Sequence, residues 1–216
     1  MRTYGEYCPL AKTLDVIGDR WSLLIVRELA IRGSCRYTDI RAGLPGVATN
    51  LLAERLRELE AAGVIAREEA PPPVATTLYR LAPRGEELRP VMQALAEWGL
   101  PLLAEAPDDD VFLSHWLTLP VRTRLTDATP ELPSITIQVR TGDEPMLIET
   151  VDGGVRARAG TAPTPDAVIS GPHAIVIDVL LGRLDLGEAK TKGLSFEGDA
   201  NALARVQPRS VGASAW

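Results

Sequence analysis

The side chains of this chain best suited to recognising a nucleic acid lie close together. Thr49 and Asn50 open a run whose apolar positions recur at Leu52, Leu56 and Leu59, the spacing of a helix with one buried face. On an ideal helical wheel Asn50, Glu54 and Arg57 fall opposite that leucine stripe. A hydroxyl and an amide at the start of a helix can exchange hydrogen bonds with base edges, and guanidinium groups can neutralise phosphates. Thr49 and Asn50 are therefore candidates for base contacts, and Arg36, Arg41, Arg55 and Arg57 for phosphate contacts. For any single arginine, solvation of an amphipathic helix is the plainer account. The elements around this run shift the balance.

Other chemistry finds little support. His115 and His173 lack metal-ligand spacing, and Cys8 and Cys35 form neither a disulfide framework nor a metal pair. There is no Gly-rich phosphate loop, and Asp108, Asp109 and Asp110 read as a solvated linker or helix cap. Without convergent acid, base and nucleophile groups, the chain is expected not to be an enzyme and to use no metal or cofactor. It has no signal-peptide pattern and no apolar run long enough for a membrane helix, so a cytoplasmic protein with no membrane partner is expected. The net charge of −6 seems to disfavour DNA, yet residues 1–107 hold 13 Lys/Arg against 14 Asp/Glu, and residues 108–216 hold 10 against 15. The deficit sits in the second half. DNA affinity depends on where cations lie along the phosphates more than on the total.

The first half reads as a succession of helices. Pro9 suits the first turn of a helix through Leu14 and Ile17, and Asp19 is placed to cap a second from Trp21 to Ala30, with Leu24, Ile25 and Leu29 as its apolar stripe. A short helix from Tyr37 stops before Gly43, and the helix bearing Asn50 runs from about Ala48 to Ala62, where Gly63 ends it. Val64 to Arg67 and Thr76 to Leu81 form a hairpin around Pro71, Pro72 and Pro73. Leu88, Val91, Met92, Leu95, Trp98 and Leu102 then recur at helical spacing. Helix, helix, short turn, helix, two-stranded wing and helix is the plan of a winged helix-turn-helix.

The segments CPLAKTLDVIGDRWSLLIVRELA, RYTDIRAGLPGVATNLLAERLRELEAAGVI and LYRLAPRGEELRPVMQALAEWG resemble the HxlR branch of the winged-helix regulators, relatives of the MarR proteins. The resemblance spans roughly residues 5–104. It implies a homodimer formed through terminal helices on a pseudo-palindromic double-stranded DNA operator. The helix at 48–62 would be the recognition helix and the hairpin at 64–82 the wing, with Arg67 and Arg80 as further DNA contacts. Where the family often carries a basic residue after the wing prolines, this chain has Val74, Ala75 and Thr76. Some members sense oxidants or electrophiles through a cysteine placed like Cys8, before Pro at a helix start. There a thiolate is favoured.

From about residue 107 the pattern changes, which divides the chain into 1–107 and 108–216. Ser134 to Arg140, Met146 to Val151 and Val155 to Ala159 read as strands joined by hairpin turns. A strand over Pro165 to Ser170, an apolar helix from His173 to Leu181, a strand at Leu194 to Gly198 and a helix capped by Asp199 follow. The segment PDAVISGPHAIVIDVLLGRLDLGEAKTKGLSFEGDANALARV resembles a sterol carrier protein 2-type domain. That resemblance implies an α/β sandwich, an antiparallel sheet with helices on one face enclosing an apolar or lipid ligand, with Val168, Ile169, Ile175, Val179, Leu180, Leu184 and Leu186 as its lining. The fold class expected for the whole chain is α+β. Three functions stay open: a regulator controlled by an apolar small molecule or lipid, a redox regulator using Cys8 with a structural second domain, and a lipid-binding scaffold without DNA binding.

Overall fold

The computed structural model describes residues 3–70, 76–107 and 109–209, and the chain divides into two compact units, 1–111 and 112–216. In the first, α1 (Pro9–Ile17) begins with proline, whose missing N–H costs nothing at that place. Its last turn closes with the Gly18 N–H on the Leu14 carbonyl. The helix α2 (Ser22–Arg32) starts differently from expectation. Trp21, in the left-handed conformation at φ 81°, precedes it, and Asp19 turns its carboxylate to Arg55 instead of capping the helix. Ile25 and Leu29 are buried as expected, whereas Leu24 is partly exposed.

A short strand β1 (Cys35–Arg36) leads into α3 (Tyr37–Ala42), where the Arg36 N–H donates to Asp39 at 2.9 Å. The next helix, α4 (Thr49–Ala61), buries Leu52, Leu56 and Leu59. It ends in a Schellman arrangement: Gly63 takes φ +71°, its N–H bonds Glu60, and the Val64 N–H bonds Leu59. β2 (Ile65–Glu69) and β3 (Thr77–Leu81) pair antiparallel, with β1 on the far side of β3. Pro71, Pro72, Pro73, Val74 and Ala75 of the expected wing tip lie outside the described residues, as does Asp108. After α5 (Pro83–Glu86), α6 (Leu88–Gly99) is tied back to α2 by Arg89, which donates to the Ala30 carbonyl at 2.9 Å. A 3-10 stretch, Leu100–Glu105, follows.

The second unit opens with a 3-10 turn, Ser114–Leu117, then α7 (Thr118–Arg124) and β4 (Leu125–Asp127). The hairpin strands β5 (Thr136–Thr141), β6 (Glu144–Val151) and β7 (Gly154–Ala159) follow. Asp152 and Gly153 both take positive φ in the second hairpin, the conformation an Asp-Gly pair favours. β8 (Ala167–Ser170), α8 (His173–Leu180), α9 (Leu186–Thr191), β9 (Ser195–Gly198), α10 (Ala200–Arg205) and β10 (Val206–Pro208) complete it. Asp199 caps α10 through the Asn201 N–H at 2.8 Å.

The sheet order is β7-β6-β5-β8-β9, and β5 runs parallel to β8. This corrects the wholly antiparallel sheet expected from the sequence. Residues 160–166 lead from the edge strand β7 to β8, with Gly160 bonded to Pro145, Ala162 to Gln138 and Asp166 to Thr136. By crossing β6 and β5 the chain re-enters the sheet in the direction of β5, which a hairpin turn could not do. Ile137, Val139, Met146, Ile148 and Ile169 on the inner sheet face pack with Val121, Val176, Val179, Leu180 and Ala202 of the helices. Arg205 and Asp127 close this layer as a buried bidentate pair at 2.7 and 2.9 Å, with Arg205 also donating to the Leu132 and Pro133 carbonyls.

Candidate nucleic-acid interface

The turn from α3 to α4 is set by a buried carboxylate that the sequence reading overlooked. Glu28, on α2, is 0% exposed and accepts from Arg27 and Arg32. Arg27 also donates to the Gly43 carbonyl at 3.2 Å, and a Cβ on Gly43 would lie 1.9 Å from a Glu28 oxygen. Any larger residue there would force the buried Glu28 side chain to move. Burial holds the Arg27 pKa below its usual value, and the Glu28 charge opposes that shift. Leu44 and Val47 are buried beyond Gly43, and the Tyr37 hydroxyl donates to the Thr49 carbonyl at 2.9 Å, anchoring the first turn of α4. A glutamate in a helix is ordinarily a surface residue, so no signal in its type marked Glu28 as interior.

With α4 so placed, Thr49 and Asn50 are exposed in its first turn. Unpaired backbone N–H groups and the positive end of the helix dipole add to their hydrogen-bonding capacity toward anions. Arg36 and Arg41 are exposed at either end of α3, and Arg57 is exposed on α4 with its Nε donating to the Ala53 carbonyl. Arg55 differs from expectation. Its side chain is only 13% exposed and is held by Asp19, Glu54 and Glu58, with Nε buried and unbonded among the described residues. Its charge is neutralised within the protein, so it does not stand ready for a phosphate. On the wing strands Arg67 faces Glu60 at 3.7 Å and Arg80 faces Glu68 at 3.3 Å, while Glu69 accepts from Thr77. Both wing arginines are thus partly offset by acids.

Outside this surface an apolar stripe is left uncovered in the monomer. Leu10, 67% exposed, and Leu14 lie on α1. Val91, Leu95 and Trp98, the last 75% exposed, recur along α6 and continue to Leu102.

The HxlR-like helix-turn-helix family model matches residues 16–106, which hold α2 to α6 and the wing strands. An uncharacterized HTH-type transcriptional regulator of Bacillus subtilis, YvaP, is 37% identical over 95 residues, covering 44% of this chain and 87% of YvaP. The Synechocystis regulator sll1512 is also 37% identical over 95 residues, covering 44% of this chain and 70% of its own length. The chain belongs to the HxlR-type transcriptional regulators. The solved reduced form of the regulator YodB from B. subtilis is 30% identical, covers 44% of this chain and 92% of that chain, and has a TM-score of 0.40. The likeness to the HxlR-type regulators lies in the first unit, where α2 to α4 form the helix-turn-helix and β2 and β3 the wing.

Two cysteines of this HxlR-type chain sit in different surroundings. Cys8 is half-buried immediately before Pro9 at the start of α1. Cys35 is buried in β1, and burial pushes its thiol up to about 11. In the second unit the seven residues expected to line one apolar ligand site do not share a face. Ile169, Val179 and Leu180 belong to the core, and Ile175, Leu184 and Leu186 lie half-buried against it. Val168 pairs with Gln138 and Glu197 and points to the opposite side of the sheet from Ile169, because successive strand residues alternate. No helix among the described residues is long and apolar enough to cross a membrane.

Proposed function

We propose that this protein is a homodimeric, cytoplasmic transcription regulator that reads a pseudo-palindromic operator with α4 in the major groove. The observation that carries this is the first turn of α4. Thr49 and Asn50 project there with their polar groups exposed, on a helix anchored by Leu52, Leu56, Leu59 and Tyr37. Asn50 is suited to a bidentate contact with adenine, and Thr49 to a base edge or a thymine methyl. Arg36, Arg41 and Arg57 supply phosphate contacts that set register. Arg67 and Arg80 contribute less, being offset by Glu60 and Glu68. The uncovered stripe of Leu10, Leu14, Val91, Leu95, Trp98 and Leu102 supports the dimer, since such a row is costly to leave in water. A gel-shift titration of the chain's own upstream DNA tests the reading, with Trp98→Asp as the dimer variant. The variant is expected to run as a monomer by light scattering and to lose operator binding. A wild-type protein that fails to distinguish that DNA from random sequence counts against the proposal.

Control by an apolar small molecule or lipid in a sterol carrier protein 2-like second unit is a further part of this reading. Ile175, Leu184 and Leu186 are the half-buried side chains at which the helical layer could admit such a ligand. The redox alternative rests on Cys8 at its helix start and is separated by repeating the gel shift with Cys8→Ser, with and without oxidant.

A further inference from the structure

Between Thr49 and Glu60, the exposed residues of α4 are Thr49, Asn50, Glu54 and Arg57. The hydroxyl, amide and guanidinium among them can all donate hydrogen bonds, and Glu54 alone is an acid. It stands one turn beyond Asn50 and about 40° round the helix from it, on the face opposite the leucine stripe. Its side chain is 53% exposed. The carboxylate makes no hydrogen bond among the described residues, and its ion-pair partner there is Arg55, 3.6 Å away and too distant to donate. Arg55 is itself occupied by Asp19 and Glu58.

A carboxylate on this face is not neutral toward DNA. Phosphates wall the groove and repel it, and close approach to the bases strips the water that solvates its charge. An ionised carboxylate only accepts, so it recovers that cost where a base offers a donor. In the major groove the donors are the N4 amine of cytosine and the N6 amine of adenine. Adenine N6 lies beside the N7 acceptor of the same base, whose lone pair opposes a carboxylate. Cytosine presents its amine with no acceptor of its own on that edge, and guanine and thymine present no donor there.

We infer that Glu54 is a specificity-determining residue that accepts from the N4 amine of one cytosine in each half-site. The inference rests on the reading of α4 as the helix in the major groove. Glu54 lies about 6 Å along the helix axis from Asn50, and base pairs rise about 3.4 Å each. The cytosine therefore falls within about two base pairs of the adenine assigned to Asn50. Its contribution is to the choice between sequences. On the matching base the hydrogen bond offsets the lost hydration, and on guanine or thymine the same charge meets acceptors and rejects the site.

Fluorescence anisotropy tests this with the full chain on the footprinted site in its own upstream DNA, and on versions carrying each base-pair change symmetrically in both half-sites. Wild type is expected to lose about tenfold or more in affinity per half-site when one particular C·G pair is replaced. Glu54→Ala should erase that loss while keeping discrimination at the position read by Asn50. Glu54→Gln should move the preference there from cytosine to adenine, whose N6 and N7 suit an amide. Both variants should melt as wild type, since the side chain is exposed and Arg55 keeps Asp19 and Glu58. The inference is overturned if Glu54→Ala tightens binding to every DNA by one common factor, the signature of phosphate repulsion alone. It is equally overturned if the sequence profile of Glu54→Ala is that of wild type, or if the position it relaxes is not a C·G pair. Where Asn50→Ala relaxes a position and Glu54→Ala relaxes none, this inference fails alone. Where wild type does not distinguish its upstream DNA from random sequence, the reading of α4 fails with it.

Discussion

Arg41 and Asn50 are both exposed on the helix-turn-helix, yet their loss should be distinguishable in a single experiment. Arg41 is assigned to a phosphate, and each neutralised phosphate contributes about 0.9 to the slope of log affinity against log salt. A dimer makes the contact twice, so Arg41→Ala should lower the slope by about 1.8. Across a fourfold rise in salt, from roughly 50 to 200 mM, the variant should then lose about twelvefold less affinity than the wild type. The loss at fixed salt should be similar on operator and on random DNA, since phosphates carry no sequence. Asn50→Ala should behave in the opposite way, costing about 1–3 kcal/mol per half-site on the operator and little on random DNA, with the slope unchanged. Fluorescence anisotropy at several salt concentrations on both DNAs reads all four quantities. The reasoning fails if Arg41→Ala keeps the full slope, or if Asn50→Ala weakens random DNA as much as operator.

Other perturbations probe the scaffold. Native protein treated with a thiol-alkylating reagent at pH 8 should be modified at half-buried Cys8 and spared at Cys35, as peptide mapping would show. Because burial raises the folded-state Cys35 pKa from 9.0 to about 11, its contribution to stability is complete below pH 9 and lost as pH rises toward 11. Cys35→Ala should flatten the denaturation profile over that window. Asp127 is held below the ordinary carboxylate range by its hydrogen bonds from Arg205. Its contribution is present above the unfolded value, about pH 4, and lost as pH falls through the folded one; Asp127→Asn should weaken the protein at neutral pH and reduce its acid sensitivity. At Gly142, φ is +74° and a Cβ would lie 2.6 Å from Ser114 Oγ. Gly142→Ala should therefore cost about 1–3 kcal/mol in chemical denaturation, and an unchanged midpoint would contradict the turn geometry.

Much of the site was legible because helix periodicity is local. Leu52, Leu56 and Leu59 identify the buried face of α4, which leaves Asn50 and Arg57 on the other side whatever packs beneath. Turn chemistry was equally local: Gly63 ends α4, Asp152-Gly153 closes the β6–β7 hairpin, and Asp199 caps α10. α7, β4, α9 and β10 went unread, being short elements whose pattern is too brief to distinguish from loop.

By itself, then, the sequence determined which residues can form helices, hairpins and caps, since those choices depend on neighbours a few positions apart. Tertiary structure decided which charges are available. Arg55 and Arg57 stand two positions apart on one helix, but Asp19, 36 residues earlier, reaches Arg55 and leaves Arg57 exposed. Glu28 became interior because α3 brings Gly43 against it, and β8 took its direction from β5, the distant strand it pairs with in parallel. In each case the deciding partner is distant along the chain, and a carboxylate or a strand direction acts on its partner only once folding has brought the two together.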